Sequence, residues 1–135
     1  MRINIKNQDL IKKCLNNILS DKIDLEINGI SIDSRKIKKN DIFIALQGAK
    51  SHGNDFIDEH LLSKVSFIVS DKNFINNKVY IVDNSRDFLK NLAIEFRLSI
   101  RTKFIGITGT NGKTSTKELL VEFLKTKYNV SYSKG

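Results

Sequence analysis

Proline and tryptophan are absent from the 135-residue sequence, which contains only seven glycines and one cysteine. Most of the usual markers of turns are therefore missing, so the spacing of apolar residues has to define the helices and strands. The single Cys14 excludes an internal disulfide and offers no metal-ligand spacing; on the apolar side of a predicted helix, it is expected to be a small core residue. No apolar run is long enough to cross a bilayer, and the N-terminus lacks the apolar run of a signal peptide. We therefore predict a cytoplasmic protein without membrane insertion.

The charge is one-sided, because 23 lysines and arginines outnumber 15 aspartates and glutamates and give a net charge of +8. Such an excess can attract nucleic acid or anionic lipid. Here the lysines are scattered among isoleucines and asparagines, few aromatic residues alternate with them, and the densest basic cluster, residues 35–39, is short. We predict no nucleic-acid partner and interpret the excess as compositional, with a secondary advantage for anionic ligands.

The apolar pattern predicts an α/β chain. Helices are predicted over residues 8–20, from a cap at Asn54 or Asp55 to about Ser63, from a cap at Asp83 or Asn84 to about residue 100, and after a glycine-containing loop to about Thr126. The predicted strands are LEINGISI (25–32), DIFIAL (41–46), SFIVS (66–70), VYIV (79–82), KFIGIT (103–108) and NVSYS (129–133).

A boundary near residue 101 separates two parts of the chain. Residues 1–101 can close as a small α/β module, whereas residues 102–135 have the pattern of the first strand–loop–helix unit of a parallel sheet. Parallel sheets need both faces covered, so a single unit cannot bury its own strand. We therefore expect the chain to be the front part of a longer protein.

Residues 104–120, FIGITGTNGKTSTKELL, place a glycine-containing loop between a predicted strand and a predicted helix. The usual phosphate loop has Gly, four residues and Gly-Lys-Ser/Thr, but here Ile107 stands where the first glycine belongs. Backbone N–H groups at the start of a helix still favour phosphate, and glycines allow its close approach. Lys113 supplies a positive charge for the outer phosphates, and the Thr114 hydroxyl can join a Mg²⁺ shell. A glycine-rich turn that merely precedes a lysine-bearing helix is the alternative, which the strand–loop–helix context disfavours.

The predicted nucleotide-binding residues are Gly109, Thr110, Asn111, Gly112, Lys113, Thr114 and Ser115, with Lys113 catalytic and Thr114 the metal ligand. The helix after the loop is expected to pack on its sheet through Leu119, Leu120, Phe123 and Leu124.

The sequence TGTNGKT, residues 108–114, resembles the shorter Gly-x-x-Gly-Lys-Thr loop of the Mur ligases and the folylpolyglutamate synthases, which join an amino acid or peptide to a carboxylate at the expense of ATP. A second stretch, SIDSRKIKKNDIFIALQGAKSHGNDFI at residues 31–57, resembles the N-terminal domain with which the last two amino-acid-adding Mur ligases hold the UDP end of their substrate. That family pattern is Asp-Ser-Arg, then Gly/Asn-Asp-x-Phe-x-Ala-Leu-x-Gly, then Gly-x-x-Phe-Ile. Folylpolyglutamate synthases lack this module. The resemblance to the Mur ligases covers residues 25–135.

The resemblance implies that residues 1–101 form a UDP-substrate-binding domain and that residues 102–135 begin a central ATP-binding domain, with ATP and Mg²⁺ as cofactors. Asp33 and Ser34 would hydrogen-bond the base or ribose, Arg35 would pair with the diphosphate, and the backbone near Gln47 and Gly48 would meet the uracil edge. The predicted substrate-binding residues are Ser31, Asp33, Ser34, Arg35, Gln47 and Gly48. For Asp33–Arg35 the alternative is a solvated turn, and for His52 and His60 surface or capping roles are expected.

Within the family, KTSTKELL and NVSYSKG resemble the member that adds D-alanyl-D-alanine to UDP-N-acetylmuramoyl-tripeptide through an acyl phosphate. The sequence TGTN is common in the member that adds the third stem-peptide residue, so both ligases stay open. A nucleotide-binding or basic nucleic-acid-binding module without ligase chemistry is the alternative from a different class. In the first case Lys113 stabilises the transferring phosphoryl group. The resemblance implies a monomeric full-length protein, and residues 1–135 alone are expected not to ligate.

Overall fold

The computed structural model describes residues 1–133 and divides into two compact units, Met1–Arg101 and Thr102–Gly135. Each unit is described by itself below. The assignment of the first unit to a UDP-linked substrate and of the second to ATP stays a prediction at this point.

The first unit is built on a five-stranded sheet in the order β1-β2-β3-β4-β5. The strands are β1 (Arg2–Asn4), β2 (Gly29–Ser31), β3 (Asp41–Ala45), β4 (Val65–Ser70) and β5 (Val79–Ile81). β1 runs antiparallel to β2, and all the other neighbours are parallel. The segments that follow β2 to β5 therefore emerge at one edge of the sheet. We call residues 31–35, 46–48, 71–72 and 82–84 the carboxyl edge.

Helices cover both faces of this sheet. They are α1 (Gln8–Leu19), α2 (Glu59–Lys64) and α3 (Ser85–Ser99). Successive residues of a strand point to opposite faces, and in β3 Ile42 and Ile44 pack in the cluster with α1 and α3, whereas Phe43 and Ala45 pack in the cluster with α2. The result is a three-layer α/β unit, so the predicted fold class of the N-terminal module is confirmed. Cys14 is fully buried on α1, as expected of a core residue.

The structure agrees with the capping roles expected for Asn84 and His52 and disagrees with the cap predicted at Asn54 or Asp55. Asn84 caps α3 by accepting hydrogen bonds from the Arg86 and Asp87 amides, at 2.9 and 3.0 Å, which decides between the two predicted caps. The predicted helix start at Asn54 or Asp55 is wrong. A short 3₁₀ turn, Gly53–Phe56, is capped by His52, and α2 starts later, with Asp58 accepting from the Leu61 amide at 2.7 Å. The capping expectation for His52 is confirmed.

The second unit contains one helix, α4 (Lys113–Lys125), as predicted. The strands predicted at residues 103–108 and 129–133 are wrong, since no strand is found among described residues 102–133. A strand is held by hydrogen bonds to a neighbouring strand, and none is present among the described residues of the second unit. Leu119 and Phe123 are 73% and 75% exposed, contrary to the predicted packing, and only Val121 is buried among the described residues of α4.

Sequence patterning also failed to predict β1, a three-residue strand at the start of the chain. Its pairing with β2 depends on residues almost thirty positions away. Among residues 1–133, no helix combines the length and the hydropathy that a bilayer crossing requires.

Candidate functional site

The loop before α4 contains two glycines with positive φ angles. Gly109 has φ 151° and Gly112 has φ 74°, both in the region that side chains with a Cβ rarely adopt. Gly112 directly precedes Lys113, the first residue of α4, and forms its N-cap without a side-chain hydrogen bond. The amino end of α4 therefore has no capping side chain that would compete with a ligand.

Backbone donors are available throughout this loop. Within described residues 1–133, no hydrogen bond is donated by the backbone N–H groups of residues 109–115, and the first bond of the helix runs from the Thr116 amide to the Gly112 carbonyl at 2.9 Å. The loop residues are exposed. A run of unpaired N–H groups at the positive end of a helix is the arrangement that binds a polyphosphate, so the residues present fit ATP.

Lys113 folds back over this loop. Its Nζ donates to the Gly109 carbonyl at 2.5 Å and lies 3.4 Å from the Thr110 carbonyl. The ammonium group is thus held above the same loop whose amides are unpaired, where phosphate oxygens would compete with the two carbonyls for it. Thr114 follows in the first turn of α4 and is exposed.

A metal ion would depend on the ligand as much as on the protein. Among residues 1–133, no group of three or more His, Cys, Asp or Glu side chains is placed to hold a metal. The Thr114 hydroxyl is one oxygen of the type that Mg²⁺ accepts, and Mg²⁺ in nucleotide sites takes further oxygens from the phosphates and from water. The donor set therefore fits a magnesium–nucleotide complex.

A second group of predicted site residues lies at the carboxyl edge of the first unit. Asp33, Ser34 and Arg35 follow β2, and Gln47 and Gly48 follow the neighbouring β3. Ligands of open α/β sheets bind outside the carboxyl ends of the strands. The two motifs are separated along the sequence, and the parallel pairing of β2 with β3 brings them to the same edge.

Asp33 and Arg35 form a bidentate ion pair at this edge. Arg35 donates from Nε to Asp33 Oδ1 at 2.9 Å and from Nη2 to Oδ2 at 3.1 Å, and the Arg35 amide also donates to Oδ1 at 3.2 Å. These hydrogen bonds lower the pKa of Asp33 and raise the pKa of Arg35. The Arg35 side chain is 86% exposed. Asp33 therefore orients a guanidinium that still faces solvent.

Ser31 lies beneath this turn. It is buried, and its Oγ lies 3.0 Å from the Met1 carbonyl and 2.9 Å from the Asp33 carbonyl, while accepting from the Asp33 amide at 3.1 Å. The hydroxyl is therefore occupied by the protein. Its role in this structure is to hold the turn that carries Asp33 and Arg35.

Gln47 and Gly48 belong to a tight loop between β3 and the 3₁₀ turn. Gly48 N donates to the Ser51 carbonyl at 2.9 Å, Gln47 Nε2 donates to the Gly48 carbonyl at 2.9 Å, and Gln47 pairs with His52 in an isolated antiparallel bridge. Both residues are exposed. The Gly48 amide and the Gln47 side-chain amide are thus used to shape the loop, and the loop surface faces solvent.

Sequence reasoning missed a cleft of about 310 Å³ beside Ser34 and Arg35. The cleft is open to solvent, and the ring of Phe56 in its wall is half exposed. The signal that could have found it is the Phe of the Gly-x-x-Phe-Ile pattern, because an exposed aromatic next to an arginine can pack against a planar ligand. The lining residues are Ser34, Arg35, Asp55, Phe56, Asp58, His60 and Leu61.

Comparison with protein-family models assigns the chain to a family. The family described as "Mur ligase family, catalytic domain" matches residues 26–97, which is more than half of the chain and lies within the first unit. The protein therefore belongs to the Mur ligase family, and the resemblance found in the sequence is confirmed.

Curated relatives carry two different names. A UDP-N-acetylmuramoyl-L-alanyl-D-glutamate–2,6-diaminopimelate ligase of Clostridium tetani is 38% identical over 129 residues, which cover 90% of this chain and 27% of the relative. A UDP-N-acetylmuramoyl-tripeptide–D-alanyl-D-alanine ligase of Rickettsia prowazekii is 40% identical over 111 residues, covering 80% and 24%. The chain spans about a quarter of the length of the curated relatives it matches.

Solved structures agree on the fold. MurF ligase from Thermotoga maritima in complex with ADP is 34% identical, with a TM-score of 0.71, over 78% of this chain and 25% of that chain. A MurF structure from Acinetobacter baumannii superposes with a TM-score of 0.74 over 86% of this chain and 27% of that one, at 24% identity, and supports the fold alone.

Proposed function

We propose that the chain is part of an ATP-dependent amide-forming ligase of peptidoglycan precursor synthesis, which adds D-alanyl-D-alanine to UDP-N-acetylmuramoyl-tripeptide through an acyl phosphate. The observation that carries the proposal is the loop before α4, where the amides of residues 109–115 have no partner among described residues and Lys113 lies over them. The ADP complex of the Thermotoga maritima relative supports the use of a nucleotide by this family.

At the loop, the backbone N–H groups of residues 109–115 hold the phosphates of ATP, and Thr114 contributes its hydroxyl to Mg²⁺. The metal, when bound, supplies positive charge that neutralises the phosphates. Lys113 exchanges its contacts with the Gly109 and Thr110 carbonyls for the outer phosphate and stabilises the charge that develops on it. Glycine is favoured at 109 and 112 because side chains with a Cβ rarely adopt the backbone conformations found there.

At the carboxyl edge, Arg35 pairs with the diphosphate of the UDP-linked substrate. Two of its N–H groups are held by Asp33, which leaves the Nη1 hydrogens for phosphate oxygens. Ser34 and the loop at Gln47 and Gly48 contact the nucleoside, while Ser31 supports the turn from below. In this proposal, residues 1–101 are the UDP-substrate domain and residues 102–135 the start of the ATP domain.

The second candidate is the ligase that adds the third stem-peptide residue to the UDP-linked dipeptide. The relative from Clostridium tetani, which carries that kind of name, matches 90% of this chain at 38% identity. Both candidates need the same UDP edge and the same ATP loop, and they differ in the amine that is joined. The full protein is proposed to be monomeric and to act in the cytoplasm.

Calorimetry on the 135-residue chain tests the two binding roles separately. UDP-N-acetylmuramoyl-tripeptide, Mg²⁺–ADP and single-stranded DNA are titrated at two salt concentrations. Loss of a charge-assisted contact is expected to weaken binding about tenfold or more, so Arg35→Ala should lose affinity for the UDP compound only and Lys113→Ala for Mg²⁺–ADP only. Lys90→Ala, which removes an exposed charge from α3, is the matched control and should change neither.

Tight DNA binding that falls steeply with salt, without binding of either nucleotide, would replace the ligase proposal by a nucleic-acid-binding one. Nucleotide binding is then followed by ligation assays with the full gene product. Lys113→Ala should reduce ligation about a hundredfold or more with the fold retained. Supplying D-alanyl-D-alanine with the tripeptide, or a diamino acid with the dipeptide, separates the two ligases by product.

A further inference from the structure

His52 is a buried imidazole whose hydrogen bonds define one tautomer. The residue is 2% exposed and lies at the end of the loop that begins at Gln47. Its Nδ1 accepts from the Asn54 amide at 3.1 Å, and its Nε2 lies 2.8 Å from Asp71 Oδ1. Because Nδ1 accepts a backbone N–H, the ring proton is on Nε2 and is donated to Asp71.

Asp71 connects this loop to the rest of the carboxyl edge. It directly follows β4, and its second oxygen, Oδ2, accepts from the amide of Ser85, the first residue of α3, at 3.1 Å. Burial disfavours the charged carboxylate, but the hydrogen bonds from the Ser85 amide and from His52 outweigh it, so the pKa of Asp71 is lowered. The aspartate is therefore an anionic acceptor that joins the β3 loop, the end of β4 and the start of α3.

Neighbouring contacts hold the same loop from below. The His52 amide donates to Asp55 Oδ2 at 2.9 Å, and the Gly53 amide donates to the Leu46 carbonyl at 2.9 Å. Gly53 lies so close to β3 that an added Cβ would be 2.5 Å from the Ala45 Cα. The exposed surface at Gln47 and Gly48 is thus mounted on a packed base.

We propose that the His52–Asp71 pair is a positioning device that fixes the conformation of the loop over residues 47–52, and thereby the surface that Gln47 and Gly48 present to the UDP end of the substrate. This inference rests on the proposed function of the edge. Neither side chain of the pair needs to touch the ligand. Both nitrogens of the imidazole and both oxygens of Asp71 are paired, and polar groups satisfied in this way specify a single geometry. The loop has little other apolar packing to do so.

Three substitutions separate the two hydrogen bonds of the imidazole. His52→Asn keeps an oxygen near the Nδ1 position for the Asn54 amide but cannot reach Asp71, whereas His52→Gln can still donate to Asp71 from the Nε2 position. Asp71→Asn keeps the shape of the side chain but removes its charge and one of its two acceptor oxygens, so it can no longer accept from both the His52 ring and the Ser85 amide. Lys90→Gln, at an exposed position of α3, is the control.

Hydrogen exchange of the 135-residue chain gives a readout that needs no ligand. The Gly48 amide, which donates to the Ser51 carbonyl, should exchange about tenfold faster in His52→Asn and Asp71→Asn. The reason is that an unpaired buried group lowers the free energy of opening the loop by an amount that corresponds to about a tenfold change in rate. The amides of Ile44 and Val69 in the central strands should keep their wild-type rates. The affinity for UDP should fall about tenfold in the same variants, with Mg²⁺–ADP binding unchanged, and His52→Gln should recover most of both losses.

Unchanged exchange at Gly48 would overturn the inference. Equal acceleration at Ile44 and Val69 would also overturn it, because the pair would then support the whole fold and not the loop. If the Gly48 amide of His52→Asn exchanged at the wild-type rate, the hydrogen bond to the Asn54 amide would suffice to fix the loop. The link to Asp71 would then have no positioning role. Absence of UDP binding by the wild-type chain would refute the proposed function of the edge, and the exchange data alone would then decide the positioning of the loop.

Discussion

Replacing Arg2 by methionine tests whether one buried ion pair holds the start of the chain in the sheet. Arg2 donates from Nε to Asp41 Oδ2 at 2.6 Å and from Nη2 to Oδ1 at 2.7 Å, and the Lys38 amide donates to Oδ2 at 2.7 Å. The Arg2 side chain is 12% exposed and that of Asp41 is fully buried. Gly29 leaves room for the pair between β1 and β3, since a Cβ there would lie 2.6 Å from Asp41 Oδ1. Methionine keeps the apolar stem but leaves the carboxylate buried without its cation.

The expected loss is about 3–5 kcal/mol in the free energy of unfolding, the usual cost of removing one partner of a buried pair. For a domain whose total stability is about 5–15 kcal/mol, this is a large shift of the urea midpoint, measured by circular dichroism. Arg35→Met is the matched control, because it removes the same bidentate geometry from an exposed arginine, and its midpoint should equal that of the wild type. Equal midpoints for both variants would refute the reasoning, as would an unchanged midpoint for Arg2→Met. The double variant Arg2→Met, Asp41→Leu should recover much of the loss.

The remaining predictions concern Gly53, Gly112 and the loss of folding stability at acidic pH through Asp71. Gly53→Ala should lower the free energy of unfolding by about 1–3 kcal/mol, because its Cβ would meet the β3 backbone; chemical denaturation measures this. Gly112→Ala should weaken Mg²⁺–ADP binding, since alanine at φ 74° costs about 1–2 kcal/mol, whereas Gly106→Ala, at a position with open space, should bind normally. The pKa of Asp71 is lowered in the fold from its ordinary 3.8, so its stabilisation is present above that value and is lost as the pH falls through the lower folded-state pKa. Asp71→Asn should therefore unfold less steeply with pH than the wild type below about pH 4, and an identical acid profile would contradict the assignment.

Features that depend on neighbouring residues were predictable from the sequence. The helix α1 follows its apolar spacing, α3 starts after an asparagine cap, and β3 and β4 coincide with short apolar runs. The loop before α4 belongs to the same class, because Gly109, Gly112 and Lys113 lie within one turn of each other and of the start of the helix. Periodicity, caps and glycine positions act over a few residues, and the sequence displays them directly.

Features that depend on pairing across the sheet were decided by the tertiary structure. Three contacts join residues far apart in the chain: the pairing of β1 with β2, the Arg2–Asp41 pair and the His52–Asp71 pair. No local sequence pattern predicts them. The strand predicted at residues 103–108 failed for the same reason, because an apolar run becomes a strand only when another strand accepts its hydrogen bonds. The sequence by itself determined the chemistry of each motif and its local backbone. Only the parallel order of β2 and β3 determined that Arg35 and Gly48 share one edge, since that order is set by burial of both faces of the sheet.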